Sequence, residues 1–265
     1  MSTVVQHPIK DFYGFSRMPF DKDFAAQNAF RSPCLADAVA MCALGVESED
    51  ILLLTGAIGS GKSVAVRSFM DALDQNRFTP VYLRGHSLGA NDLPKLILQA
   101  LLVEPPWNPA KARATYFKTV AEAARKPVIV IDDAQDLKES ALLSVKGLVN
   151  FDSDSKNKIT FILCGQPELK DILRYTRFAA LYQRIRLWCE FTGFSLPDTC
   201  AYIDHQLTVA GRPSPLFSDN AKAEIHRRSL GFPRRINRIC IRSIFEAAAR
   251  KLNIIDDGDV LYDSD

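Results

Sequence analysis

The sequence predicts an α/β domain followed by a helical one. Three observations predict it: five short runs that are almost continuously apolar, helical-period segments between them, and helical periodicity alone over the last third of the 265 residues. The apolar runs are DILLLT (50–55), PVYLRG (80–85), KPVIVIDDA (126–134), KITFILCG (158–165) and RIRLWCEF (184–191). Consecutive rather than alternating apolar residues imply burial on both faces, which is the condition of a parallel sheet covered by helices.

The elements follow in chain order. Between the strands, KSVAVRSFMDAL, NDLPKLILQALL, RATYFKTVAEAAR and KESALLSVKGLV carry apolar residues at helical spacing. The linker EPPWNP (104–109) is read as neither helix nor central strand, because its three prolines lack amide donors and fix φ. Beyond SLPDTC, segments 198–210, 219–229 and 233–251 read as helices, the last two separated by GFP. This divides the chain into an N-terminal segment with a first helix (1–49), an α/β domain (50–193), a helical domain (194–255) and an acidic tail (256–265) expected to fray.

Composition narrows the function. Lys and Arg number 33 against 31 Asp and Glu, a formal charge of +2, so any affinity for nucleic acid has to come from a local patch. The six cysteines, at 34, 42, 164, 189, 200 and 240, contain no C-x-x-C pair; they are read as reduced core thiols of a cytoplasmic protein, without disulfides or zinc. The N-terminus has no apolar signal region, and no run approaches the roughly 20 apolar residues of a membrane span, so the chain reads as soluble, with no membrane partner.

One motif carries the chemistry. GAIGSGKS, residues Gly56, Ala57, Ile58, Gly59, Ser60, Gly61, Lys62 and Ser63, matches G-x-x-x-x-G-K-[ST] in full and lies between a buried strand and a helix that begins near Val64. The glycines let the backbone curl into a nest of N–H groups, and the helix N-terminus adds its positive end. Lys62 then reaches the β and γ phosphates of ATP, and the Ser63 hydroxyl ligates Mg²⁺. VIVIDD (128–133) ends a strand in two carboxylates: Asp132 would hold Mg²⁺ through water and Asp133 would orient the attacking water, unless the pair only caps the next helix.

Three more residues have two readings each. Gln166, at the end of a strand, either touches the γ-phosphate or the water, or is a turn residue before a helix opened by proline. Arg184, before the fifth strand, and Arg234, at a helix start in the helical part, either neutralise the γ-phosphate from two sides or form ordinary ion pairs. Arg177 and Arg174 are the next candidates for the role of Arg184.

With FYGFSRMPF, LLLTGAIGSGKS, VIVIDDAQDL, CGQPEL, YQRI, YIDHQLTVAG and GFPRRINRIC in this order, the chain resembles the AAA+ ATPases. Within them it is similar to the ExeA/GspA-like group that overlaps the transposition helpers TniB, TnsC and IstB. The resemblance implies a parallel five-stranded P-loop sheet with a helical lid, Arg184 as a finger supplied to a neighbouring subunit, Arg234 as the lid sensor and Gln166 as the strand-end sensor. It also places the aromatic segment Phe12 to Phe20 near the adenine. Asp133 stands where relatives have Glu, one methylene longer, which predicts slow hydrolysis. Ser63 and AIGS depart from the Thr and the loop of many relatives.

ExeA/GspA proteins continue into a membrane span and a cell-wall-binding domain, and this sequence ends at Asp265. The expectation is therefore a transposition helper: a homo-oligomeric ring or filament with ATP and Mg²⁺ at its subunit interfaces. It would assemble on double-stranded DNA without sequence preference and recruit a DDE transposase. Arg84, His86, Lys111, Arg113 and Lys118 are candidate phosphate-backbone contacts, each also readable as a solvated surface charge. The alternative is the ATPase component of a type II secretion or other protein-only assembly machine.

Overall fold

The computed structural model describes residues 8–21, 29–48, 51–150 and 158–261. In chain order the elements are α1 (Pro8–Tyr13), α2 (Pro33–Ser48), β1 (Ile51–Gly56), α3 (Lys62–Ala72), β2 (Phe78–Arg84), α4 (Asp92–Ala100), α5 (Pro109–Glu122), β3 (Lys126–Asp132) and α6 (Glu139–Val149). There follow β4 (Thr160–Gly165), α7 (Pro167–Leu173), α8 (Ala179–Tyr182), β5 (Ile185–Phe191), α9 (Leu196–Val209), α10 (Asp219–Ser229) and α11 (Pro233–Ala249). The strands form one five-stranded sheet in the order β2-β3-β4-β1-β5, every pair parallel. Each strand falls on its predicted apolar run with shifted ends: β1 extends to Gly56, β2 begins at Phe78 and stops at Arg84, β3 stops at Asp132, β4 begins at Thr160 and β5 at Ile185, while Asp50 lies outside the described residues.

The position of each strand explains its composition. β1 and β4 are buried at every residue and β3 at all but its first. β2 and β5, at the edges, mix buried with accessible positions, β5 being buried only at Ile185 and Phe191. Pro127 is tolerated in central β3 because pairing with β4 begins only at Val128, one residue later. β5 carries a register shift where Ile51 pairs with Ile185 but Leu52 with Leu187, leaving Arg186 as the extra residue.

Contacts divide the chain into two compact units: residues 33–57 with 62–191, and residues 1–32, 58–61 and 192–265. In the first, Ile51, Leu53, Ile129, Ile131, Phe161 and Leu163 of the sheet pack against Leu93, Ile97, Tyr116, Leu142 and Val145 of the helices. Full burial of such a side chain is worth about 1.5–3 kcal/mol. Tyr116 is wholly buried because its hydroxyl donates to the Leu148 carbonyl at 2.8 Å. In the second unit, Ile203, Leu207, Phe217, Ile225, Ile236, Cys240 and Ile244 form a separate core.

Several expectations are corrected. The described residues of the N-terminal segment do not form one piece: α2 packs on β1, β5 and α3, whereas the described residues before 33 belong with the C-terminal helices. The linker 104–109 is not wholly outside a helix: Pro109 opens α5, where its missing N–H costs nothing, and the Asn108 side chain accepts from the amides of Ala110 and Lys111. The acidic tail does not fray through 261. Asp256 and Asp259 form a capping box on the short turn Asp257–Asp259, Arg250 pairs with Asp259 at 2.7 Å, and Val260 is buried; residues 262–265 lie outside the described residues. All six cysteines are free, but only Cys42, Cys164 and Cys240 are buried; Cys34, Cys189 and Cys200 are partly accessible. Burial pushes the Cys42 thiol up to about 12 and those of Cys164 and Cys240 well above the ordinary range, so these three are inert packing groups.

Candidate functional site

The site forms where the central strands end. After Gly56 the chain turns back into α3, with φ of +80° at Gly59 and +105° at Gly61, a region side chains avoid. The helix that follows opens with Lys62 and Ser63, so its first amides face the turn. Ala65, Val66 and Phe69 bury the other face of α3 and fix its direction. Ile58 stands exposed at the tip, Val64 is half-buried, and the Ser60 hydroxyl is buried without a hydrogen-bond partner. The Lys62 ammonium folds back to donate to the carbonyls of Gly56 at 2.6 Å and Ala57 at 2.9 Å.

Ser63 Oγ donates to Asp132 Oδ2 at 3.1 Å, which joins the start of α3 to the end of β3. Tyr82 donates to the same oxygen at 2.6 Å, and the other, Oδ1, accepts the Asp133 amide at 3.0 Å. Burial and the Asp132 carboxylate push the Tyr82 phenol well above its usual range, so it remains a donor. Asp133 is left-handed, with φ 52° and ψ 44°, and its side chain makes no capping bond to the turn Ala134–Asp136 that follows. A Cβ at Gly85 would lie 2.4 Å from the Asp133 carbonyl oxygen, so the backbone at the end of β2 closes directly over this turn. Gln166 precedes Pro167, the first residue of α7, and caps nothing with its side chain; its amide is held by Gln135.

The remaining predicted residues are elsewhere. Arg184 lies before β5, at the opposite end of the sheet from Gly56, with its guanidinium on the Asn150 side chain. Arg177 pairs with Glu139 at 3.2 Å and Arg174 with Asp171 at 3.7 Å, both exposed. Arg234 is exposed in the first turn of α11, its amide donating to the Gly59 carbonyl at 3.2 Å. Three aromatic residues of the segment 12–20 are not available to a base: Tyr13, Phe15 and Phe20 are buried in the core of the C-terminal helices, with Tyr13 bonded to the Leu252 carbonyl. Arg84 ends β2, and His86 just beyond it pairs with Asp136. Arg113 reaches the Gly147 carbonyl near the end of α6, at the other end of the sheet, with Lys111 and Lys118 exposed on the same helix. The five candidate DNA contacts therefore do not form one patch.

Two residues escaped the sequence. Tyr82 reads as part of an apolar strand, and its role depends on register: Arg84 pairs with Asp132, which puts Tyr82 one diagonal away on the same face. Gln135 follows the carboxylates by two residues in DDAQDL and looks like turn filler.

The residues fit a magnesium-bound nucleotide. An orphaned hydroxyl at Ser60, an ammonium folded onto loop carbonyls and a hydroxyl–carboxylate pair at Ser63 and Asp132 are what phosphates and a hard cation would satisfy. Among the described residues no three His, Cys, Asp or Glu side chains come together, and Mg²⁺ beside a nucleotide needs only one or two protein ligands. Among those residues no helix is long and apolar enough to cross a membrane.

Residues 46–173 match the AAA domain family. The chain is 30% identical over 257 residues, 94% of its length, to general secretion pathway protein A of Aeromonas hydrophila, and spans 46% of that protein. Among solved structures it is similar to Cdc6p of Pyrobaculum aerophilum, with TM-score 0.67 at 14% identity over 89% of this chain and 67% of that one. It is also similar to the Thermotoga maritima RuvB Holliday junction branch migration motor, with TM-score 0.56 at 16% identity over 84% of this chain and 66% of that one.

Proposed function

We propose, from the match of residues 46–173 to the AAA domain family and the likeness to general secretion pathway protein A, that the chain binds and hydrolyses Mg²⁺–ATP to drive assembly of a protein machine of the general secretion kind. The observation that carries the ATPase reading is the bond of Ser63 to Asp132, which brings a hydroxyl and a buried carboxylate to the end of the strand beside the glycine turn.

Bound Mg²⁺–ATP supplies a γ-phosphoryl group whose charge the metal partly neutralises. Lys62 exchanges the carbonyls of Gly56 and Ala57 for phosphate oxygens. Ser63 and Asp132 would hold the cation, directly and through water, with the Tyr82 phenol competing for the Asp132 oxygen that it occupies. Asp133 accepts a hydrogen bond from the attacking water and aligns it. Its short side chain leaves turnover slow. Arg184, remote from these groups in its own chain, serves the site of a neighbouring copy, so that nucleotide stabilises a homo-oligomer.

The likeness to a secretion protein over 94% of this chain supports a protein-assembly role over the transposition helper that assembles on DNA and recruits a transposase. The scattered basic residues support the same choice. The test is ATP turnover and sedimentation with ATP or ADP, each with and without double-stranded DNA across a salt series. ATP-dependent assembly indifferent to DNA is expected. Assembly that requires DNA and weakens steeply with salt would overturn the secretion reading in favour of the DNA-bound one.

A further inference from the structure

Gln135 stands between two pieces of backbone that the sequence treats separately. Its Oε1 accepts the backbone N–H of Gln166 at 3.0 Å, and its Nε2 donates to Asp133 Oδ1 at 3.4 Å. The orientation of the amide is determined by chemistry: a backbone N–H only donates, so the oxygen must face Gln166, and the nitrogen is thereby turned to the carboxylate. Space for this bridge depends on Gly165, the last residue of β4, where a Cβ would lie 2.8 Å from Gln135 Oε1. The Asp133 backbone amide donates to Asp132 Oδ1, a bond that fixes the main chain at this turn and leaves the Asp133 carboxylate to its own partners. Its side chain makes no cap, so the donor from Gln135 is what selects its rotamer.

We propose that Gln135 is a positioning residue for hydrolysis, its side-chain amide fixing the Asp133 carboxylate to the end of β4 so that one carboxylate oxygen is occupied and the other faces the water. This rests on the reading of Asp133 as the carboxylate that orients that water. The bridge makes the position of the Gln166 amide a determinant of the Asp133 geometry, and a short Asp in place of a longer side chain needs such a fixture because it cannot reach the water from an arbitrary rotamer.

The test compares Gln135→Leu, Gln135→Glu, Asp133→Asn and the double variant Gln135→Leu/Asp133→Asn in the full chain, each first checked for a wild-type melting temperature. Gln135→Leu should lower kcat by about tenfold to a hundredfold, the worth of one hydrogen bond to a charged group, with KM for ATP unchanged. Gln135→Glu retains an acceptor for Gln166 but loses the donor to Asp133. It should lose kcat like Leu while keeping the Gln166 amide protected from hydrogen exchange in the nucleotide-free protein, protection that Gln135→Leu should lose. In the Asp133→Asn background the Leu substitution should add nothing to the loss of residual turnover. Wild-type turnover in Asp133→Asn removes the reading on which the proposal rests, and the proposal with it. An inactive Asp133→Asn beside a Gln135→Leu of wild-type kcat overturns the proposal alone. So does a loss confined to KM, or an additive loss in the double variant.

Discussion

The two ends of the parallel sheet differ in what they gather. At the end where β1, β3 and β4 finish, Ser63, Tyr82, Asp132, Asp133, Gln135 and Gln166 are joined by hydrogen bonds into one cluster. At the other end, Arg184 rests on Asn150, and Arg113 reaches over to Gly147. Parallel strands produce this asymmetry by construction, since every strand delivers its last residue to the same edge. On the proposed function, the difference would separate chemistry completed within one chain from cations placed to act on something outside it.

The comparison breaks first at Lys62. Lys62→Ala removes the ammonium that binds phosphates, and ATP binding, followed by calorimetry or a fluorescent analogue, should be abolished. Micromolar affinity retained in that variant would show that the glycine turn is not the nucleotide site. Asp133→Asn should leave nucleotide bound but reduce turnover by about a hundredfold or more, as loss of a general base does, read in a single-turnover assay. Unchanged turnover would reassign that carboxylate to a structural role.

The opposite end is tested by Arg184→Ala. A monomer that binds ATP normally but no longer sediments as an oligomer with ATP, and hydrolyses about a thousandfold more slowly, would mark it as a residue acting in trans, the scale known for arginine fingers. Assembly at wild-type level would move the search to Arg177 and then Arg174. The smallest effect is expected from Tyr82→Phe. Removing the donor that occupies Asp132 Oδ2 should lower the Mg²⁺ concentration for half-maximal turnover by about twofold to tenfold, the net worth of one hydrogen bond. A rise instead would mean that the phenol orients the carboxylate for the cation more than it competes with it.

The sequence was most legible where function and burial coincide. Asp132 and Asp133 end a run of apolar residues, and Lys62 and Ser63 sit at a strand-to-helix turn, so local pattern alone places them at the edge of the sheet where its strands end. The role of the aromatic residues near the start is not legible in the sequence, for a physical reason. Tyr13, Phe15 and Phe20 are as suited to stacking on a base as to filling a core, and only the tertiary structure shows them packed with Phe217 and Ile203. Gln135 and Tyr82 were illegible because each acts across strands. The partner of Tyr82 depends on the register of β2 against β3, and that of Gln135 on where β4 ends. A single sequence states neither.

The two edge strands have a consequence for how copies of this chain meet. A sheet edge presents unpaired backbone donors and acceptors, and a chain concentrated by assembly risks joining its copies strand to strand. β2 carries Pro80, which withholds a donor, and exposes Arg84 at its end; β5 is kinked by its extra residue, Arg186, which is exposed and charged. Both rims are thereby poor templates for a further strand. Crowded copies are steered away from growing the sheet into an amyloid-like ribbon, and contacts through side chains are left as the reversible route to association.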